Sequence, residues 1–137
     1  MPAHLVRVHG LYSGAPYAYA SVAPPGSLVF TAGACPIDEA GVVTDVGDYA
    51  AQARRAVANL AVALAAAGAS LAEVLKTTVY VASADQRDLL AVWEVVHSAF
   101  DPHDAPSTLL GVSVLGYSGQ LVEIEAVALT PAVSSLG

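Results

Sequence analysis

One amphipathic helix does most to limit the folds open to this chain. Over residues 48–67, Ala53, Val57, Leu60, Leu64 and Ala67 recur at three- and four-residue steps and so share one helical face, while Gln52, Arg55 and Asn59 fall elsewhere. Asp45 or Asp48 offers a carboxylate to the free N–H groups at its start, and Gly68 stands where a left-handed C-cap is wanted. A helix with one apolar stripe must lay it on another element, and its flanks are β-rich. Strand-like runs precede it at residues 4–8, 17–22 and 27–31, the last two separated by the turn signal Pro24-Pro25-Gly26. Ser70-Leu71-Ala72-Glu73 has the spacing of a capping box for a short helical turn, and residues 75–82 then read as a strand of β-branched and aromatic residues. A second helix is predicted over residues 83–100, striped by Leu89, Val92, Trp93, Val96 and Phe100. After a polar loop at 101–106, strands at 108–115 and 121–129 follow, with Pro131 ending the last. This order predicts an α+β domain: a mixed, mostly antiparallel sheet with two helices packed on one face.

A length of 137 residues argues for one domain over 1–137. Hydrophobic residues make up 55% and charged residues 12%, more apolar than the surface of a lone small domain requires. Leu109-Leu110 and the run from Val79 to Val81 place apolar side chains on both faces of their strands. The helices cover one face, so the other is expected to meet something else, which points to a subunit interface. The formal net charge is -7, and the five cations, Arg7, Arg54, Arg55, Lys76 and Arg87, form no stripe. Nucleic acid and anionic membrane are therefore not the expected partners. Cys35 stands alone, so no intramolecular disulfide can form. The start of the chain lacks a signal-peptide pattern, and the longest apolar stretch, residues 56–67, is too short to span a bilayer; the expected location is cytoplasmic.

The last strand carries recognisable residues. Leu121-Val122-Glu123-Ile124-Glu125-Ala126-Val127-Ala128 resembles the terminal strand of the YjgF/RidA family, also labelled endoribonuclease L-PSP. Phe30-Thr31-Ala32-Gly33 with Pro36 resembles that family's strand ending in a small residue, a glycine and a later proline. Asn59-Leu60 through Gly68, then Leu71, Val74 and Lys76-Thr77-Thr78-Val79-Tyr80-Val81, resembles its helix-turn-strand core. The resemblance implies a chorismate-mutase-like sheet in a homotrimer, with the three sheets forming a central barrel and a small-molecule ligand held in each cleft between subunits. It also implies hydrolysis of reactive enamines and imines to 2-oxo acids and ammonia, with no metal and no organic cofactor.

In that frame an arginine fork grips the substrate carboxylate and an acidic residue positions water and moves protons. Glu123 matches the acid, whereas Glu125, on the same strand face, reads as structural. Tyr17 matches an aromatic wall of the cleft, and Gly33 matches the glycine of close approach. Ala32 stands where many relatives have serine, and Trp93 where they often have a small polar residue. The main departure is Pro106-Ser107-Thr108-Leu109, where the arginine position falls on Ser107, which cannot form a bidentate clamp. Ser107 and Thr108 can instead hydrogen-bond a neutral polar substrate. His103 offers an imidazole to the cleft mouth, and Arg54, Arg55 and Arg87 are other candidate bases that read better as surface residues. Cys35 is a candidate nucleophile, but no triad accompanies it, and it reads better as a buried, hydrophobe-like cysteine.

Overall fold

The computed structural model describes residues 3–131, so residues 1–2 and 132–137 of the expected domain lie outside the described residues. Two short strands, β1 (His4–Val6) and β2 (Ala20–Val22), pair antiparallel. The main sheet contains β3 (Gly26–Phe30), β4 (Val74–Ala82), β5 (Ser107–Val112) and β6 (Val122–Pro131), in the order β3-β6-β4-β5. β4 and β5 run parallel, and the helix α2 (Gln86–Phe100) is the crossover that a parallel pair requires; the other pairings are antiparallel. Helix α1 (Tyr49–Ala66) lies on β6, and α2 lies on β4 and β5 and against α1, so both helices occupy one face of a mixed sheet. No helix among the described residues is long and apolar enough to cross a membrane.

The core forms where the helical stripes meet the inward side of the sheet. Ala53, Ala56, Val57, Leu60 and Leu64 of α1 and Val92, Val96 and Phe100 of α2 bury against Val79, Val81, Val122, Ile124 and Ala128. Asp48 caps α1 by accepting from the Ala51 N–H at 3.0 Å, and Gly68 ends the turn after it at φ +87. Ala67, expected on the apolar face, is the exposed cap residue itself. Gln52, expected off that face, is fully buried. Its amide group donates to the carbonyls of Gly119 (2.9 Å) and Asp45 (3.3 Å), and its oxygen accepts from the Leu121 N–H (2.7 Å). A polar side chain belongs inside when it satisfies backbone groups that water cannot reach.

Several element ends differ from expectation for local reasons. Tyr17 to Tyr19 are not strand: the Ala18 N–H donates to Asp104 O (2.8 Å) and the Tyr19 N–H to Val6 O (3.2 Å). β5 starts one residue early, at Ser107, and stops at Val112, where its partner β4 ends at Ala82. α2 starts at Gln86, because Ser83 and Asp85 build a turn first. The Ser83 hydroxyl donates to Asp88 (2.7 Å) and accepts from the Asp85 N–H (2.9 Å), and Asp85 caps through the Arg87 N–H (2.9 Å). The capping box at Ser70 is present, with the Ser70 N–H donating to the Glu73 carboxylate at 2.7 Å.

The face away from the helices positions the site. Along β6, Val122, Ile124, Ala126 and Ala128 point to the core, and Glu123, Glu125 and Val127 point away. The β4–β6 register breaks between Val74 and Lys76, with Leu75 as the extra residue, so Val74 joins the core opposite Ala128, while Lys76 lies opposite Val127 on the outward face in step with Thr78 and Tyr80. The β1–β2 ribbon covers one end of this face: Ala3, Leu75 and Leu129 bury together, and the Ser21 hydroxyl donates to Leu75 O at 2.6 Å. Elsewhere the same face leaves Leu28 52%, Phe30 72% and Leu110 44% exposed, which is much apolar area to leave to water.

Candidate functional site

The residues singled out from the sequence gather into two groups. The first surrounds Glu123. Its Oε1 accepts from the Cys35 thiol at 3.3 Å and from the Gln120 amide at 3.1 Å. Gly33 lies against the other side of the carboxylate, where any Cβ would overlap Oε2, so a side chain at position 33 would displace the acid. The supporting backbone is tied down. Ala34 and Ile124 exchange N–H···O bonds of 2.7 and 3.1 Å, and the Asn59 amide donates to the carbonyls of Cys35 (2.7 Å) and Ile37 (2.9 Å). Burial, then the neighbouring Glu123 carboxylate, pushes the Cys35 thiol from its ordinary 9.0 up to about 11. Cys35 therefore stays a neutral S–H donor: it is neither a poised nucleophile nor a plain buried hydrophobe, being half-buried with its thiol on a carboxylate. Glu125 accepts from the Tyr80 hydroxyl at 3.1 Å, an occupied structural contact.

The second group lies at the start of β4 and β5. Tyr17, Trp93, Ser107, Thr108 and Leu109 line a pocket of about 480 Å³. A neighbouring pocket of about 470 Å³ shares Tyr17, Ser107 and Thr108 and adds Tyr19, Ser21 and Lys76. The aromatic wall is braced: Trp93 stacks on His97 (centroids 5.8 Å, 18°) and meets Tyr17 edge-on (6.4 Å, 85°), and Tyr17 meets Tyr19 at 5.7 Å. Asp104 holds His97 at 3.3 Å and Arg7 at 3.0 Å. The Thr77 hydroxyl donates to Ser107 Oγ (2.6 Å), and Lys76 Nζ donates to Thr108 Oγ1 (2.6 Å) and to Thr77 O (2.8 Å).

The bases weighed as substitutes for an arginine do not supply free cations here. His103 points its Nε2 at Val74 O (2.7 Å), so that nitrogen carries the proton and serves the backbone. Arg87 grips Asp85, Arg55 donates to Ile37 O (3.3 Å), and Arg54 lines a groove between the two helices. Lys76 is the cation that reaches the pocket; alternation with Thr77, Val79 and Val81 turns it outward, but the β5 hydroxyl it reaches is set beside it only by the parallel pairing. Gln120, Gln52 and Asn59 are likewise polar residues whose roles become visible only with the fold. Among the described residues no group of three His, Cys, Asp or Glu is placed to hold a metal ion.

The two groups do not meet within one chain. Glu123 pairs with Tyr80 and Ser107 with Thr77, on opposite sides of β4. Three residues along a strand and two interstrand spacings put them roughly 14 Å apart.

The chain is thus an α+β sheet protein with two helices on one face, carrying an acid braced by a loop glycine and, apart from it, a hydroxyl-lined aromatic pocket. The family profile described as Endoribonuclease L-PSP matches residues 9–130, and the chain belongs to that family, the YjgF/RidA family. It is 33% identical over 115 residues to Protein DfrA of Myxococcus xanthus, covering 84% of this chain and 86% of that protein. It is 36% identical over 81 residues to the 2-iminobutanoate/2-iminopropanoate deaminase of Salmonella typhimurium, covering 58% of this chain and 60% of the relative. Among solved structures it is similar to YyfB of Yersinia pestis, of the conserved Rid protein family, with a TM-score of 0.87 at 26% identity, covering 94% and 99% of the two chains.

Proposed function

We propose that this chain is a small-molecule hydrolase of the Rid type, converting reactive enamine or imine intermediates to 2-oxo acids and ammonia in a homotrimer whose ligand sits between subunits. The observation that carries the proposal is the Glu123 carboxylate, fixed through Oε1 by two donors. Water adds to the C=N carbon of the imine, giving a carbinolamine. Glu123 passes a proton from the attacking water to the imine nitrogen in forming the carbinolamine, then passes the carbinolamine O–H proton to the amine, so ammonia leaves as the C=O bond forms. An unbraced carboxylate would sample several rotamers; this one is held in a single position. The deaminase among the relatives supports the reaction class. The exposed Leu28, Phe30 and Leu110 support association through the outward sheet face, and the separation of acid and pocket within one chain supports a site completed by a second copy.

The direct test supplies imines in place from an amino-acid oxidase and follows ammonia and 2-oxo acid release. The wild type should accelerate release, and Glu123→Gln should lower the rate by about a hundredfold or more with its thermal unfolding unchanged. Equal rates in the two proteins would remove Glu123 from the chemistry. Sedimentation should give a mass of three chains; a monomer at micromolar concentration would sink the intersubunit cleft. Ser107 favours a second reading, a trimer that binds a small ligand without hydrolysing it, since no arginine fork stands at the pocket. Ligand binding with no release above the uncatalysed rate would select that reading.

A further inference from the structure

We propose that Lys76, with the hydroxyl of Thr108, forms an anion-holding site for the carboxylate of a small 2-oxo or imino acid, packed against the Tyr17–Trp93 wall. The inference deepens the Rid-type reading above and rests on it for the class of ligand.

The geometry leaves two donors unspent in one pocket. An ammonium has three N–H groups, and Lys76 uses two, on Thr77 O (2.8 Å) and Thr108 Oγ1 (2.6 Å). Thr108 accepts from the lysine, which leaves its own O–H to donate outward. Ser107 bonds instead to the buried Thr77 hydroxyl at 2.6 Å on the helix-covered face, so its hydroxyl belongs to the other side of the sheet. Lys76 and Thr108 line the same pocket of about 470 Å³. Hydroxyls that receive a hydrogen bond on their oxygen are turned into donors, so the pocket favours an acceptor-rich, negatively charged group over a neutral one.

Among the described residues the lysine also lacks an anion of its own. Among the described residues no carboxylate lies within ion-pair distance of Nζ; Glu125 influences it from further off and spends an oxygen on the Tyr80 hydroxyl. Burial lowers the Lys76 pKa from its ordinary value and the Glu125 charge partly restores it, so the ammonium is under-compensated and would gain from a carboxylate. Its direction follows from strand alternation: Thr77, Val79 and Val81 face the core, so position 76 faces outward with Thr78 and Tyr80. A lysine holds a carboxylate as a point charge without the planar match of a fork. The Thr108 hydroxyl supplies the directionality that the single ammonium lacks.

Trp93 is the single tryptophan of the chain and lines the pocket that shares Ser107 and Thr108, so its fluorescence reports occupancy. The probe is 2-oxobutanoate, titrated into the full-length protein, with its neutral amide as the control. The anion should change Trp93 emission saturably. Lys76→Met should weaken its binding about tenfold or more, Thr108→Val should weaken it several-fold, and Lys76→Arg should restore most of the affinity. The amide should bind wild type and Lys76→Met alike. If Lys76→Met disturbs folding, as circular dichroism will show, Thr108→Val and Lys76→Arg carry the test. Binding unchanged within twofold in a folded Lys76→Met or Thr108→Val protein, or no binding of 2-oxobutanoate to wild type at 10 millimolar (roughly the weak end of specific recognition), would overturn the site. Because binding is read without turnover, Lys76-dependent binding with no imine hydrolysis leaves the anchor standing and removes the hydrolase. Hydrolysis that ignores Lys76→Met does the reverse.

Discussion

Glu123 stands near the start of the ten-residue strand β6, its carboxylate reached from a loop and a turn that are both tied to α1. Lys76 stands at a break in strand register, bonded to one carbonyl and one hydroxyl, beside an aromatic segment that is not strand. One end of the sheet therefore presents an acid with its geometry already decided, and the other presents donors with capacity to spare. A reacting centre needs the first, since misplacing a proton-transfer group by an ångström costs rate steeply. A ligand that must enter and leave is better met by the second, where hydrogen bonds are completed only on arrival. The difference suggests where variation is cheap: a new side chain on the ligand would be accommodated at Trp93 or Ser107 before anything changed around Gly33.

That contrast can be broken from the acid side. Gln52→Leu removes three hydrogen bonds and strands the Leu121 N–H in the interior, so stability should fall by about 3 kcal/mol in urea unfolding. In the protein that remains folded, 2-oxobutanoate should bind as before while turnover drops; a matched loss of affinity would mean the two ends are not independent. Asn59→Ala frees two carbonyls beneath Cys35 and should cost about 2 kcal/mol by the same measurement, again with turnover more affected than binding.

Smaller effects sharpen the comparison through pH. The Cys35 thiol is raised from 9.0 to about 11, so its contribution to stability is complete below 9 and is lost as pH climbs toward 11. The difference in urea midpoint between wild type and Cys35→Ala should shrink across that window; a constant difference would deny the thiol its role as donor to Glu123. At the other end, Lys76 titrates below its ordinary 10.5 because of burial. Affinity for 2-oxobutanoate should therefore fall as pH rises toward that value, and the fall should be absent in Lys76→Arg.

The parts of the fold set by repetition were legible in the sequence. Helix α1 declared itself through spacing, cap and terminal glycine, and β6 through its alternation about Glu123 and Glu125. The end at Glu123 was partly legible for the same reason, since one strand and one glycine loop carried it. Lys76 was not, because alternation gives its direction but its meaning depends on what a parallel crossover strand sets beside it. Gln52 was hidden differently: its polarity argued for the surface, and only the backbone groups of a distant turn make the interior the better place. Ser107 was read correctly as chargeless, but the Thr77 hydroxyl that holds it to the other side of the sheet lies thirty residues away.

The paired exchange of bonds between Ala34 and Ile124, with Asn59 clasping the carbonyls on either side of Pro36, has a consequence for time rather than shape. The amide hydrogens at positions 34 and 124 can reach solvent only when the sheet itself opens, so their exchange should be among the slowest in the molecule. The Ala18 and Tyr19 amides, each on one isolated loop bond, should exchange orders of magnitude sooner. Any breathing that admits a ligand would then belong to the tyrosine segment, swinging against a wall that keeps still.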